Sequence, residues 1–361
     1  MEGFELIEKR KNEHILYSVK EDVEFVCKTN FFEYVELVHI SLPEINLSDV
    51  RVETEFLGYT ISAPVMISGM TGGTELALKI NKILARVAEN IGVPIGVGSQ
   101  RIALEKPETI ESFSVVRKVA KNVPVIGNIG ASQIVKGLSL EEFDKIGEMI
   151  KADAIAIHLN PLQEALQMEG EPEYRGLVKK LEYIVKNSSY PVIIKETGAG
   201  LSSEVIKKLV EIGVRIVDVG GAGGTSFSKI EALRAKDNVF YKKIALDFVD
   251  WGIPTAASII EARNVSDDIT LIATGGIRNG IDMVKALRLG ADLCGVALPM
   301  IRAAYSGGYG EALRVLKTFI RELKIALFLT GSINVESLRE KPILIFGLLK
   351  EWIDERKITV K

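Results

Sequence analysis

The sequence predicts an α/β protein built as a (β/α)8 (TIM) barrel, and three observations point there. Eight short, nearly all-apolar runs recur along the 361 residues, most of them ending in or next to glycine. Segments with helical periodicity lie between them. An open sheet of eight parallel strands would need protected edges, which nothing in the sequence supplies, so closure is the better solution. Runs that are apolar on both faces of the pleat are what buried parallel strands require.

Residues 1–60, charged and aromatic (Phe25, Phe31, Phe32, Tyr34), form an N-terminal extension ahead of the first run. The runs are Ala63 to Gly69, Pro94 to Gly98, Val123 to Gly130, Asp153 to Leu159, Pro191 to Thr197, Arg215 to Gly220, Thr270 to Gly275 and Ala291 to Val296. Among the helices, Glu75 to Ile91 places Leu76, Ile80, Ile83, Leu84, Val87 and Ile91 on one face. Ser139 to Glu142 (SLEE) is a capping box, Ser202 or Ser203 caps the next helix, and Ile281 to Leu289 runs into a stop at Gly290. About fifty residues separate strands six and seven, too many for a bare loop, and Thr255 to Arg263 after Trp251 to Pro254 (WGIP) adds a helix there. Val335 to Arg356 reads as terminal helices on the barrel exterior. No repeat longer than one βα unit and no linker-like stretch is seen. The whole chain is read as one domain, with a barrel core over about 61–330 and C-terminal helices over 331–361.

Composition excludes several function classes. Lys plus Arg is 45 against 48 Asp plus Glu, a net charge of −3, so the basic field expected of a nucleic-acid binder is missing. Two distant cysteines, Cys27 and Cys294, argue against a disulfide framework or a zinc site and for a cytoplasmic protein. Apolar runs such as Ile343 to Leu349 are far shorter than the roughly 20 residues that span a bilayer. No signal-peptide pattern opens the chain.

In a barrel the reacting groups follow the C-terminal ends of the strands. Gly220 to Ser226 (GGAGGTS), Gly275-Gly276-Ile277-Arg278 and Ala297-Leu298 form a phosphate site, because glycines admit close backbone approach and Thr225 and Ser226 add hydroxyl donors. Lys195 is an ammonium in an apolar strand; it faces an electron-rich ligand or pairs with Glu196 or Asp218. Thr71, Ser99 and Asn128 bring neutral donors from three further strands. Their convergence with the lysine and the phosphate site argues for flavin mononucleotide (FMN). Glu164 has two readings, a Mg²⁺ carboxylate or a charge complementing a helix start. His158 is either a site group or a satisfied core imidazole. Arg10 to His14 (RKNEH) either closes over a phosphate or is a solvated charge run.

The segments RKNEH (10–14), MISGMTGG (66–73), GVGSQR (96–101), GNIGASQ (127–133), HLNPLQE (158–164), IKETGAGLS (194–202), DVGGAGGTSF (218–227), WGIPT (251–255) and TGGIRNGIDMVKALRLGAD (274–292) together resemble the type 2 isopentenyl diphosphate isomerase family. HLNPLQE and the RK..H opening are the specific parts; the glycine loops occur in many flavin barrels. The resemblance implies that Met70, Thr71, Ser99, Asn128, Lys195, Thr225, Gly275, Gly276, Arg278, Ala297 and Leu298 contact FMN. It implies that Arg10, Lys11 and His14 bind the substrate diphosphate, that Arg101, His158, Asn160 and Gln163 line the substrate site, and that Glu164 holds Mg²⁺. Ser226-Phe227 departs from a family pattern that often has another polar residue and tryptophan there.

The reaction this implies moves a double bond between isopentenyl and dimethylallyl diphosphate by proton transfer. Reduced FMN would act as acid and base, with Lys195 stabilising the reduced anion, Gln163 orienting or relaying, and His158 in the catalytic group. NADPH would serve only to prime the flavin, and the resemblance suggests a homo-oligomer, a tetramer or larger. The main rival is an FMN-dependent 2-hydroxy acid oxidase, whose chemistry wants a histidine base after strand six; the only histidines are His14, His39 and His158. A dehydrogenase with a nucleophilic cysteine after strand six has no such residue here, and an iron–sulfur flavin barrel lacks its cysteines. A barrel that binds phosphorylated ligands without turnover is the non-enzymatic alternative. The cavity mouth is expected to be cationic, through Arg10, Lys11, Arg101, Lys195 and Arg278.

Overall fold

The computed structural model describes residues 2–360, with side chains from Glu8 onward. Eight parallel strands close into a barrel: β1 (Val65–Ile67), β2 (Ile95–Gly96), β3 (Val125–Gly130), β4 (Ala154–Leu159), β5 (Val192–Glu196), β6 (Ile216–Asp218), β7 (Thr270–Ala273) and β8 (Leu293–Val296). Each lies within its apolar run. Closure comes from β8 pairing with β1, Cys294 opposite Val65, so every strand has two neighbours and no edge is exposed. Inward side chains Met66, Ile126, Ala154, Ile193, Ile272 and Leu293 form the barrel floor, and the hairpin Thr54–Phe56/Tyr59–Ile61 plugs it from below with Phe56 and Ile61. The opposite end stays open for a ligand.

Local chemistry explains most helix ends. The helix Glu75–Ile91 starts at Thr74, whose hydroxyl accepts the N–H of Ala77, and stops at Gly92 with φ 84°. The Ser139–Glu142 capping box forms in full. Ser202 stands at the N-cap of Ser203–Glu211, while the Ser203 hydroxyl goes to Glu261. The helix Gly280–Arg288 begins one residue earlier than its periodicity suggests, because Asn279 caps it through the N–H of Asp282.

Three features add to the sequence reading, and the tail corrects it. The extension begins with a long helix, Glu2–Lys20, which periodicity does not announce. The segment between β6 and β7 contains Phe227–Arg234 and Val239–Asp247 in addition to Thr255–Val265. The tail is helix, strand, helix: Ile343–Ile345, a β-branched and aliphatic run, pairs antiparallel with Val35–Leu37 between the helices Val335–Arg339 and Gly347–Arg356. The remaining feature is a recurring contact pattern. Arg117 donates Nε to Lys151 O and Nη1 to the carbonyls of Ala120, Lys121 and Val123, and pairs with Asp153, which also accepts the N–H of Val125 at 2.7 Å. Four strands later Arg263 donates Nε to Gly290 O and Nη1 to Ser266, Asp267 and Ile269, and pairs with Asp292, which accepts the N–H of Leu271 at 2.8 Å. The same pin therefore recurs in the two halves of the barrel, carried by two residues in each half, too sparse to register as a repeat in the sequence.

Each pin satisfies several carbonyls that have no strand partner. Arg117→Ala and Arg263→Ala should each lower stability by about 2–3 kcal/mol, and the double variant by the sum within about 0.5 kcal/mol. Urea midpoints at constant slope measure this. A double variant no worse than either single one would contradict two independent pins.

Candidate active site

The residues named one by one as flavin, substrate and metal contacts all line one cavity at the open end of the barrel, whereas Ala222, Gly223, Gly224 and Ser226 of the GGAGGTS loop do not. Its inner part is made by two glycine loops in backbone contact. The N–H of Gly221 donates to Thr274 O at 2.8 Å, Thr255 Oγ1 donates to Gly275 O at 2.6 Å, and Gly275 and Gly276 have φ of 104° and 74°. A Cβ on Gly224 would lie 2.3 Å from Gly276 N. Bare backbone thus lines the cradle, with Thr225, Ala297 and Leu298 beside it. Ser226 is corrected: it is buried, donates to Val249 O at 2.8 Å and caps its helix, so its hydroxyl is not offered to the cavity.

Above the cradle stand the neutral donors Thr71 and Ser99 and the β3 residue Asn128. Asn128 Oδ1 lies 2.8 Å from His158 Nδ1. Burial, aided by Lys195 and Lys11, pushes the His158 pKa down to about 3, so the ring is neutral. The buried Ser68 hydroxyl, which has no partner among the described residues, also lines the cavity. Lys195 Nζ donates to Glu196 O at 2.6 Å and lies 3.8 Å from Asp218. Glu196 turns its own carboxylate into the following loop, where Oε2 accepts the N–H groups of Thr197, Gly198, Ala199 and Gly200; burial nonetheless raises its pKa to about 7. A glycine cradle, an unpartnered hydroxyl, neutral amide donors and one ammonium fit a phosphorylated planar heterocycle such as FMN.

The outer part comes from HLNPLQE and the first helix. Pro161–Leu166 is helical, and Asn160 Nδ2 donates to both Gln163 Oε1 and Glu164 Oε1, at 3.1 and 3.0 Å. Tyr174 holds Asn160, donating to Oδ1 at 3.2 Å and accepting its N–H at 3.3 Å. Glu164 Oε2 accepts Gln167 Nε2 and the N–H of Glu171, which leaves a lone pair on Oε1 alone, suited to a single bond to Mg²⁺. Glu2–Lys20 crosses the mouth and brings in Arg10, Lys11 and His14, so RKNEH is not a solvated charge run. Lys11 Nζ donates to Ser99 O at 2.9 Å over the Phe113 ring; burial and Arg10 depress its pKa to about 7.

The mouth is not simply cationic. Arg101 pairs with Glu171, Arg10 lies 3.9 Å from Glu169, and Arg278 donates through Nε and Nη2 to Glu24. Of the five expected cations, only Lys11 has no carboxylate partner among the described residues. Glu24 sits on a strap bonded to the cradle, where Phe25 N–H donates to Gly224 O and Asn30 Nδ2 donates to Gly276 O at 2.7 Å.

One group was not legible from the sequence. Glu231, buried in Phe227–Arg234, accepts Gln163 Nε2 at 3.3 Å, lies 3.1 Å from His14 Nε2 and pairs with Arg234. Burial alone would raise its pKa, but His14 and Arg234 outweigh it and hold the carboxyl below its usual range. The only signal was an acid inside a segment otherwise read as insertion.

His158 offers a pH test with a definite sign. Its folded pKa lies far below the unfolded value near 6.5, so the stability it supports is present above pH 6.5 and is lost as pH falls toward 3. The urea midpoint of the wild type should therefore fall more steeply between pH 7 and 4 than that of His158→Gln. Parallel slopes would mean that the ring protonates normally.

The profile of the FMN-dependent dehydrogenase family matches residues 154–344. The chain is 48% identical over 356 residues to the isopentenyl-diphosphate delta-isomerase of Sulfurisphaera tokodaii, covering 98% of this chain and 96% of that one. It is 48% identical to the enzyme of the same name from Thermococcus kodakarensis, covering 96% and 94%. Among solved structures, a lactate oxidase of Pediococcus acidilactici superposes with a TM-score of 0.68 at 16% identity, covering 95% of this chain and 94% of that one. A mutant flavocytochrome b2 with benzoylformate superposes with the same TM-score at 18% identity, covering 97% and 87%. These two likenesses speak for the fold. With near-half identity over almost the full length of both relatives, the chain belongs to the type 2, FMN-dependent isopentenyl-diphosphate delta-isomerase family.

Proposed function

We propose that the chain interconverts isopentenyl and dimethylallyl diphosphate, with reduced FMN and Mg²⁺ bound at the barrel mouth. The observation that carries this reading is the meeting of a flavin-type cradle with the Gln163–Glu231–His14 network under a helix bearing Arg10 and Lys11. When bound, reduced FMN supplies the acid and base for the alkene, and NADPH primes it. Lys195, at the end of β5, sits where it can favour the reduced anion. Gln163 is fixed at both ends of its amide, accepting from Asn160 and donating to Glu231, so it can orient a proton path without rotating. The ionised Glu231 behind it favours positive charge developing on the hydrocarbon. Arg10, Lys11, His14 and Arg101 hold the diphosphate, whose charge Mg²⁺ on Glu164 would offset. His158 stays neutral, so its part is to line the site and hold Asn128, without ionising. A 2-hydroxy acid oxidase shares the fold, but the chain has no histidine after His158, and strand six is followed by the buried Val219.

The reading includes a cytoplasmic homo-oligomer. Two unpaired cysteines fit a reducing compartment, and the exposed Val239, Phe240 and Trp251 supply apolar surface for a second copy. No helix among the described residues is long and apolar enough to cross a membrane.

Conversion of isopentenyl diphosphate should require FMN, a reductant and Mg²⁺, each omitted in turn, and 5-deaza-FMN should not support turnover. No activity in the complete mixture would overturn the reading. Glu164→Gln should shift the Mg²⁺ requirement upward by ten-fold or more, about 1.4 kcal/mol. An unchanged Mg²⁺ titration would remove Glu164 from the metal site.

A further inference from the structure

Lys195 does not face the cavity alone. In the parallel register of β5 and β6 it stands directly opposite Asp218, so the two side chains leave the sheet on the same face. Asp218 is 3% exposed, and its Oδ2 lies 3.8 Å from Lys195 Nζ. Its Oδ1 accepts the N–H of Gly220 at 3.2 Å and the hydroxyl of Thr274, a residue that lines the cavity. The other acid nearby, Glu196, has its carboxylate committed to four backbone N–H groups, so only Asp218 offers one to the ammonium. Two donors on one oxygen and an ammonium facing the other are the partners a carboxylate needs at Asp218; they oppose the effect of burial, which still leaves its pKa raised.

A bare ammonium at the polar edge of the flavin would favour the reduced anion as far as its charge allows. An acid and base that must hand over a proton and take it back is poorly served by an anion held too firmly. We propose that Asp218 is a positioning residue that acts on the flavin through Lys195, fixing the ammonium at the strand end and offsetting its charge, and so setting the reduction potential of bound FMN. This rests on the reading of the cavity as a flavin site with Lys195 beside the ring. Thr274 belongs to the same device, since its hydroxyl holds Asp218 in place.

Asp218→Asn keeps the size of the side chain and removes its charge. In the flavin-loaded variant the two-electron potential of FMN should rise by about 30 mV or more, a ten-fold shift of the reduction equilibrium. FMN should still be retained, and the potential is a readout that a purely structural role would not move. Thr274→Val, which takes one donor from the same carboxylate, should move the potential in the same direction by less; it stands in as the test if Asp218→Asn does not fold. A flavin-loaded wild type whose Asp218→Asn variant, or Thr274→Val in its place, keeps or lowers the potential overturns the role of Asp218 alone. A wild-type chain that takes up no FMN overturns the proposed function and this inference with it.

Discussion

Glu231→Gln should lower kcat for isopentenyl diphosphate by about 10²–10⁴-fold, the range of a positioned proton-transfer group. The substitution keeps shape and removes one negative charge from a buried network. Gln163 then faces an amide in place of a carboxylate, so its own amide loses the partner that fixes which end points where. His14 loses the carboxylate it lies against, and Arg234, 8% exposed, keeps Glu169 and Glu13 and should still hold the helix in place. Bound FMN should be unaffected, because Glu231 lies on the substrate side of the cavity and does not touch the glycine cradle. Steady-state rates with flavin content measured in parallel check this. A variant within three-fold of the wild type, with full flavin, would mean that Glu231 only holds the helix.

Gly224→Ala should abolish flavin retention, raising the Kd for FMN by at least about 100-fold, or about 2.7 kcal/mol. The new methyl would lie 2.3 Å from Gly276 N and 3.0 Å from its Cα, both backbone atoms that no rotamer change can clear. The two loops must separate by about an ångström, the gap between that distance and an ordinary contact. That displacement opens the glycine cradle and pulls on the Thr255 bond to Gly275. Gly310→Ala is the control for replacing a glycine, since nothing lies within 4 Å of its Cβ position and, like Gly224, it has no positive φ. Flavin fluorescence titration separates the two. Equal loss in both variants would mean that general destabilisation, and not loop contact, drives release.

Much of this molecule was legible in one dimension because the physics involved is local. A strand buried on both faces must be apolar along its length, and all eight barrel strands fall inside runs marked on that ground alone. The Ser139 cap and the Gly290 stop involve residues within one helical turn. Glycine loops announce close backbone approach because that is a property of the loop's own backbone. HLNPLQE stood out through the family resemblance, and the structure shows Asn160 bonded to both Gln163 and Glu164 within one turn.

What periodicity and spacing could not supply were partners far away in the chain. The charge balance at the mouth is set by Glu24 on Arg278 and Glu171 on Arg101, so a list of cations overstated the positive field. The tail's strand exists because Val35–Leu37, near the other end of the chain, offers it a partner. Glu231 meets Gln163 and His14 across 68 and 217 residues. The barrel, the glycine loops and the identity of the groups around the cavity are written in the linear chain, since they follow from burial and backbone geometry within a few residues. Which acid sits beside which cation, and hence which charges line the cavity, depends on the folded molecule, because Coulomb pairing and burial act between side chains that meet only once the barrel has closed.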